Sequence, residues 1–185
     1  MLSPPIADTV YHERTSLPQV FPAARGSLTF EIEAIQAAAD LVDGDRLCLY
    51  YWQAGVTAGQ DYDAVIYEKQ AGETARVSYV RYISGSLNAR AYFAVDIVPG
   101  TVYPIKVVWT DGANDELGHG NYLMRVEVDG VLGVDVHATA THSASEATTQ
   151  FWRGSAPGAT GYRRAMNYIR NPKLWTRPLL REEVA

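Results

Sequence analysis

Apolar and polar residues alternate along much of the chain from Gly26 onward, which is typical of strands that bury one face. The first such stretch, residues 27–35, has an apolar face formed by Leu28, Phe30, Ile32 and Ala34. Alternation and aromatic content predict further strands at 46–53, 64–68, 75–83, 89–97, 102–110, 122–129, 132–138, 148–153 and 166–176. The alanine-rich residues 34–41 are compatible with a short helix, which the Asp and Gly residues at 40–45 would end.

Turn-forming residues separate these predicted strands, and two connections are distinctive. Asp129-Gly130 lies between two alternating stretches and predicts a two-residue hairpin turn. Residues 111–121 form a long, polar, Gly-rich connection, and connections of that length are more often functional than plain turns. Many short strands without a sustained helical period, in a chain of 185 residues, predict one all-β domain built as two packed antiparallel sheets.

The first 25 residues differ from the rest because they are rich in proline and lack periodicity. Pro4, Pro5, Pro18 and Pro22 favour extended backbone around them. We therefore predict an extended arm at 1–25 and a folded domain at 26–185.

Composition and motifs exclude several classes of protein. The single Cys48 leaves no disulfide framework and no cysteine-based zinc site. The histidines lack a metal-binding spacing, and no nucleophile elbow, P-loop or dinucleotide-binding glycine motif occurs. No apolar run is long enough to span a bilayer, and residues 1–14 carry neither the basic nor the apolar part of a secretion signal. We expect neither membrane insertion nor a signal peptide.

The net charge of −5 is distributed unevenly along the chain. Residues 151–181 hold seven basic side chains and no acidic one, so the remainder carries −12. A basic segment of this kind suits docking to an acidic partner or a phosphate group. The candidate docking residues are Arg163, Arg164, Arg170 and Lys173. The alternative is that these side chains are solvated on outward strand faces, and we expect no nucleic-acid partner.

Four segments, taken in order, resemble the second half of a known β-sandwich family. They are residues 102–111, with an aromatic strand end; 122–130, ending in Val-Asp-Gly; 150–155; and 168–184. In this order they are similar to the concanavalin A-like or laminin-G-like jelly roll. The resemblance implies a two-sheet jelly roll, in agreement with the strand pattern. Since that family includes lectins, adhesion modules, glycosidases and virion or tail-fibre domains, the fold alone does not choose the function.

Aromatic residues near two predicted loops are candidates for ligand binding, because Trp and Tyr present flat amphipathic faces to sugars or protein partners. The candidates are Trp52 and Tyr62 near one loop, and Trp109, Asn114, His119 and Tyr122 around the loop 111–121. The alternative for each aromatic is a place in the core. For Trp109 the core is the favoured alternative, because it shares a strand face with apolar residues.

Acidic residues in the same loops could hold calcium, which takes several hard oxygen ligands. The candidate ligands are Asp61, Asp63, Asp111 and Asp115. The alternative is that these residues form turns, as Asp commonly does. No other cofactor is expected.

Glycoside hydrolysis is a remote alternative that depends on Glu31 and Glu33. These residues point to the same side of one strand, in an arrangement similar to the catalytic carboxylates of glucanases with this fold. The third carboxylate of that arrangement is replaced by Gln36, which cannot act as the proton donor. We therefore expect a protein that is not an enzyme.

These observations together favour a virion structural or display protein, either a capsid decoration or a subunit associated with a tail fibre. In this hypothesis the arm 1–25 tethers a lectin-like domain to other virion proteins or to copies of itself in a homo-oligomer, and cell-surface glycans are further possible ligands. The expected location is the virion. The alternative is a free extracellular lectin or adhesion module, with or without calcium.

Overall fold

The computed structural model describes residues 13–15, 25–34, 41–54, 61–110, 122–134, 136–138, 148–153, 163–164, 167–175 and 179. These residues form strands and connections and contain no helix. The strands are β1 (Glu13–Thr15), β2 (Gly26–Ala34), β3 (Arg46–Ala54), β4 (Tyr62–Glu68), β5 (Arg76–Ile83), β6 (Ser86–Ala94), β7 (Val102–Trp109), β8 (Tyr122–Val128), β9 (Val131–Leu132), β10 (Val136–Ala138), β11 (Thr148–Arg153), β12 (Arg163–Arg164) and β13 (Asn167–Trp175). The described part of the chain has no helix of the length and apolarity needed to cross a membrane.

The strands form two sheets, which confirms the predicted all-β, two-sheet architecture. The seven-stranded sheet has the order β1-β11-β3-β4-β5-β6, with β12 pairing parallel to β3. The six-stranded sheet has the order β10-β8-β7-β2-β13, with β9 pairing to β8. All other pairings are antiparallel, and distant segments such as β2 and β13 lie side by side.

The core lies between the two sheets and is formed by the apolar faces that the alternation predicted. On β2, Leu28, Phe30 and Ile32 are buried, while Glu31 and Glu33 are more exposed on the opposite face. Val107 and Trp109 from β7 continue the same layer. Each such side chain contributes roughly 1.5–3 kcal/mol when fully buried, so the core is the main stabilising feature of the fold.

The outer face of the seven-stranded sheet is also buried, which the simple alternation did not predict. Every residue of β4 is buried. A second apolar cluster on this face contains Cys48, Tyr51, Tyr62, Ala64, Ile66 and Val80. Burial raises the pKa of the Cys48 thiol, so this cysteine is a core residue with little thiolate character.

The two sheets are joined at one edge by a short antiparallel bridge between Tyr92 of β6 and Val134, which follows β9. Their backbones exchange hydrogen bonds of 3.1 and 2.7 Å. The backbones of Gly133 and Tyr92 approach so closely that a Cβ atom on Gly133 would lie 2.9 Å from the carbonyl carbon of Tyr92. Gly133 is therefore required by the backbone packing at this edge.

Only parts of the predicted arm and of the predicted short helix are among the described residues. Within the predicted arm 1–25, β1 pairs with β11 at the edge of the seven-stranded sheet, so residues 13–15 are fixed to the domain. β2 begins at Gly26. Of the residues 34–41, Ala34 ends β2 and Leu41 is buried outside any strand, while 35–40 lie outside the described residues.

Candidate functional site

Two of the predicted ligand-binding aromatics lie in the core between the sheets. Trp52 and Trp109 are only 2% and 0% exposed, and their ring centroids are 5.5 Å apart. Tyr79 packs against both, with centroid distances of 5.5 and 6.1 Å. The structure thus places these tryptophans in the core, which was the stated alternative, where they stabilise the sandwich and are not accessible to a surface ligand.

The other predicted ligand-binding residues are only partly described. Tyr62 is buried on the outer face of the seven-stranded sheet, where its ring stacks on Tyr82 at 4.6 Å. Tyr122 begins β8, and its backbone pairs with Ala138. Asn114 and His119 lie outside the described residues.

The predicted calcium ligands that are described have different structural roles. Asp63 is 1% exposed and accepts two parallel hydrogen bonds of 2.9 Å from Arg81, together with one of 2.7 Å from the Tyr79 hydroxyl. Asp61 accepts a hydrogen bond of 2.7 Å from the backbone N–H of Ser84 and so holds a turn. Asp111 and Asp115 lie outside the described residues. Among the residues that are described, no group of three or more His, Cys, Asp or Glu side chains could hold a metal ion.

The buried Asp63 carboxylate contributes to pKa shifts of two neighbouring groups, Arg81 and Tyr79. Burial lowers the pKa of Arg81, but the charges and hydrogen bonds of Asp63 and Tyr79 together outweigh burial, so that this pKa is raised. Burial and the same carboxylate both raise the pKa of Tyr79. Asp63 therefore has a charge partner within the protein already, which removes the reason to assign it to calcium.

The predicted docking residues differ in their surroundings. Arg170 forms an ion pair with Glu33, and the neighbouring Asn171 side-chain amide donates to Glu31 Oε2 at 3.0 Å. Lys173 is exposed on the same strand. Arg163 and Arg164 form β12, and only their backbone pairing with β3 is described.

A groove of about 720 Å³ crosses the outer face of the six-stranded sheet. One row of its floor follows the strand register across β8, β7, β2 and β13, through Glu127, Lys106, Thr29 and Lys173. The adjacent wall includes Glu31. The groove thus presents ammonium, carboxylate and hydroxyl groups side by side.

The floor of the groove is held in place by a buried ion pair. Lys106 Nζ lies 2.6 Å from Glu127 Oε2, and the two side chains are 5% and 4% exposed. This Nζ has no partner that meets hydrogen-bond geometry among the residues described. The atom is also fully buried, so the ammonium group supports the floor of the groove through its charge and is not open to solvent.

Trp175 contacts Thr29, which lines the groove, and was not among the residues that we predicted to bind a ligand. Its indole is 37% exposed, and its Nε1 donates to Thr29 Oγ1 at 3.5 Å. Lys173 and Trp175 are two residues apart on β13, which places both side chains on the same face of the strand. The alternation in residues 166–176 indicates that Lys173 and Trp175 share a face, but it does not indicate which face of the strand is outward.

A second polar cluster lies on the outer face of the seven-stranded sheet, and we call it the arginine cluster: Arg46, Glu68, Arg76 and Arg90. The Glu68 carboxylate is 1% exposed and lies at the centre. Its Oε1 accepts from Arg76 Nε at 3.0 Å and from Ser78 Oγ at 2.7 Å. Arg90 Nε lies 3.5 Å from Oε1, and Arg46 Nε lies 3.8 Å from Oε2.

Solved structures with the same architecture have low sequence identity to this chain. The heptameric SAP-like pentraxin of Limulus polyphemus matches 96% of this chain and 76% of its own, with 12% identity and a TM-score of 0.63. The CBM40 of the Ruminococcus gnavus IT-sialidase, bound to α2,3-sialyllactose, matches 89% of this chain and 82% of its own, with 12% identity and a TM-score of 0.59. Domains LG4-5 of the mouse laminin α1 chain match 94% of this chain, with 14% identity and a TM-score of 0.58.

This chain spans 41% of that laminin chain. No protein-family model matches the sequence, and no curated protein matches it. The paired antiparallel sheets, their strand order and these structural neighbours identify the fold as a concanavalin A-like jelly roll, as the resemblance in the sequence implied.

Proposed function

We propose that this domain is a non-enzymatic carbohydrate-binding module that holds glycans in the groove of the six-stranded sheet. The observation that carries the proposal is Trp175, which is 37% exposed and whose indole contacts Thr29 in the lining of a groove of about 720 Å³. Ligand sites in proteins commonly have this size and combine an apolar face with a few polar groups.

The chemistry of the groove matches that of a sugar. A pyranose ring has an apolar face that can lie against an indole, and its hydroxyl groups both donate and accept hydrogen bonds. Lys173 supplies donors and the Thr29 hydroxyl can donate or accept, while Lys106 and Glu127 form a buried ion pair in the floor. The buried Lys106–Glu127 pair fixes the floor before a ligand arrives.

Two further observations support a binding role in place of hydrolysis. Glu31 and Glu33, on which the hydrolase alternative depends, are bonded to Asn171 and Arg170 of β13. One structural neighbour is itself a carbohydrate-binding module in a structure with a bound oligosaccharide. Because the identity to that neighbour is only 12%, its ligand is not carried over to this chain.

A glycan array with the purified chain tests the proposal. We expect binding by the unaltered protein, and a loss of at least about tenfold in affinity for Trp175→Ala, because a stacked aromatic is commonly an energetic hot spot. The matched control is Leu87→Ala, which truncates a side chain that is 44% exposed on the other sheet. Silence of the unaltered protein on the array, or equal binding by the Trp175→Ala variant, would remove the proposal.

The calcium alternative now depends on Asp111 and Asp115. Running the array with and without EDTA tests it, since a calcium-dependent site loses binding when the ion is removed.

A finer proposal is that the module is displayed on a virion, as a capsid decoration or a subunit associated with a tail fibre, and forms homo-oligomers there. The proline-rich residues 1–25 support it, because β1 fixes their middle to the sheet edge while Pro4 and Pro5 precede that anchor. Removal of residues 1–12 is expected to abolish co-sedimentation with phage particles while glycan binding persists. Unchanged co-sedimentation would favour the alternative of a free extracellular lectin.

A further inference from the structure

We infer that Leu179, which follows β13, is a positioning residue for the groove, because its attachment to the outer face of the six-stranded sheet keeps the Trp175 indole in place. Leu179 is not among the residues that line the groove. The inference rests on the proposed function of the groove in glycan binding, and it adds a residue that acts on the ligand only through Trp175.

The outer face of the six-stranded sheet is covered at the start of β2 and more open further along. The core residues Leu28 and Phe30 alternate with Ser27 and Thr29, whose side chains therefore point outward. Ser27 is nevertheless 0% exposed, and Val108, its neighbour on β7, is 1% exposed. Thr29 is only half-buried and lines the groove, whereas Ser27 does not line it. The groove therefore begins where the cover over Ser27 ends.

Leu179 is part of the cover over Ser27. Its backbone N–H donates to Ser27 Oγ at 2.8 Å in a buried hydrogen bond, and Leu179 itself is 4% exposed. Since the Ser27 side chain points outward, this bond places Leu179 on the outer face of the sheet, outside any strand. The attachment therefore has two parts, a hydrogen bond and the burial of an apolar side chain, and a single substitution can remove either part.

Leu179 and the Trp175 indole lie at neighbouring positions of this face. Trp175 is paired with Ser27 in the register of β13 and β2, and only three residues separate it from Leu179. The indole Nε1 donates to Thr29 Oγ1 at 3.5 Å, so the indole also lies on the outer face. Ser27 and Thr29 are two residues apart on one strand, which is about 7 Å. Leu179 therefore lies next to the indole on the side of Ser27, and the groove lies on the side of Thr29.

This arrangement prepares the indole for contact with a glycan. A side chain that is free to change rotamer loses entropy when a ligand fixes it, and that loss weakens binding. An anchored Leu179 leaves the Trp175 indole less space to turn towards Ser27, so the indole is ordered before a ligand arrives. Loss of the anchor is therefore expected to raise the mobility of the indole in the free protein and to weaken binding.

The test measures the order of the Trp175 indole N–H by nitrogen relaxation NMR in the free full chain, and then the affinity for a glycan that is positive on the array. We expect Leu179→Ala and Ser27→Ala each to lower the order parameter of this N–H below about 0.6. Each should also weaken glycan binding by about two- to tenfold, which is the effect of immobilising one side chain. Leu179→Met keeps an apolar side chain of similar size and should match the unaltered protein in both measurements.

The matched control is Ile169→Ala, which truncates a partly buried residue of the same strand that packs against the core. It should lower stability in urea unfolding but leave indole order and glycan affinity unchanged, which separates positioning from general destabilisation. An indole that stays equally ordered in Leu179→Ala, or that becomes equally mobile in Ile169→Ala, would overturn the inference. If the unaltered protein binds no glycan, the proposed function fails, and the indole order alone still decides whether Leu179 positions Trp175.

Discussion

The pair of Asp63 and Arg81 is an unusual component of the core, because both side chains are 1% exposed among aromatic rings. Two parallel hydrogen bonds of 2.9 Å and a third from Tyr79 satisfy the Asp63 carboxylate. One Arg81 nitrogen, Nη1, is buried without a hydrogen-bond partner among the described residues. Such a pair offsets its own desolvation only while both partners are present.

Replacing one member of this pair is expected to destabilise the fold strongly. Asp63→Asn leaves the Arg81 charge buried and uncompensated, and we expect a loss of about 3–5 kcal/mol in the free energy of unfolding. The double variant Asp63→Leu with Arg81→Met removes both charges and should recover most of that loss. Urea unfolding of the three proteins measures both quantities. A single variant as stable as the unaltered protein would show that the pair is not buried as described.

Tyrosine ionisation is expected to limit stability at high pH. Burial is the main cause that raises the pKa of Tyr67 from 10.0 to about 12, while a hydrogen bond from Ile97 N–H opposes the shift and the charge of Asp96 adds to it. Because the folded-state pKa is the higher one, the stability from this group is fully present below pH 10 and is lost as the pH rises towards 12. Tyr79 acts in the same direction.

The measurement is urea unfolding at a series of pH values, together with an ultraviolet titration of phenolate in the native and denatured protein. Stability should fall by up to about 1.4 kcal/mol per pH unit for each shifted tyrosine above its unfolded pKa. Stability that is flat between pH 10 and 12, or a Tyr67→Phe variant with the same decline, would contradict this account.

At the scale of strands, the alternation of side chains predicted most elements closely, and the misses have physical reasons. The strand expected from residue 89 begins at Ser86, because Ser84 and Gly85 both adopt positive φ, at 51° and 76°, and form a tight turn that the alternation does not register. The short strands β1 and β12 depend on pairing with distant segments, which a local pattern does not contain.

The candidate site was less predictable than the strands, because it is formed by register between segments far apart in sequence. The row from Glu127 to Lys173 exists only when β8, β7, β2 and β13 are aligned. Likewise, Asp63 looked like a loop ligand until β4 and β5 placed it opposite Arg81. Local spacing predicts which residues share a face, and it does not predict which faces meet.

The close contact at Gly133 predicts a sharp effect of one added methyl group. Gly133→Ala would push a Cβ atom into the Tyr92 backbone and break the bridge that joins the two sheets, at a cost of at least about 2 kcal/mol. Gly130→Ala is the control, because it strains a positive φ of 72° but meets no atom within 4 Å, and it should cost about 1 kcal/mol. Thermal unfolding and hydrogen exchange at Tyr92 N–H measure both; equal effects would contradict the close approach.

For the molecule as a whole, the two sheets present different polar surfaces on opposite sides of one core. The groove on the six-stranded sheet combines both signs of charge, while the arginine cluster on the seven-stranded sheet is positive. The basic residues of 151–181 do not form one uniform positive surface, because Arg170 is paired with Glu33. Lys173 keeps an exposed charge at the groove.

We propose that a glycan lies in the groove next to Trp175. The most direct test is an NMR titration of the labelled chain with a neutral oligosaccharide that is positive on the array, following backbone amides and tryptophan indole N–H groups. We predict shifts at Thr29, Lys106 and Lys173 and at the Trp175 indole, with the core indoles of Trp52 and Trp109 unchanged. Shifts confined to the seven-stranded sheet, with none along β2 and β13, would contradict the account.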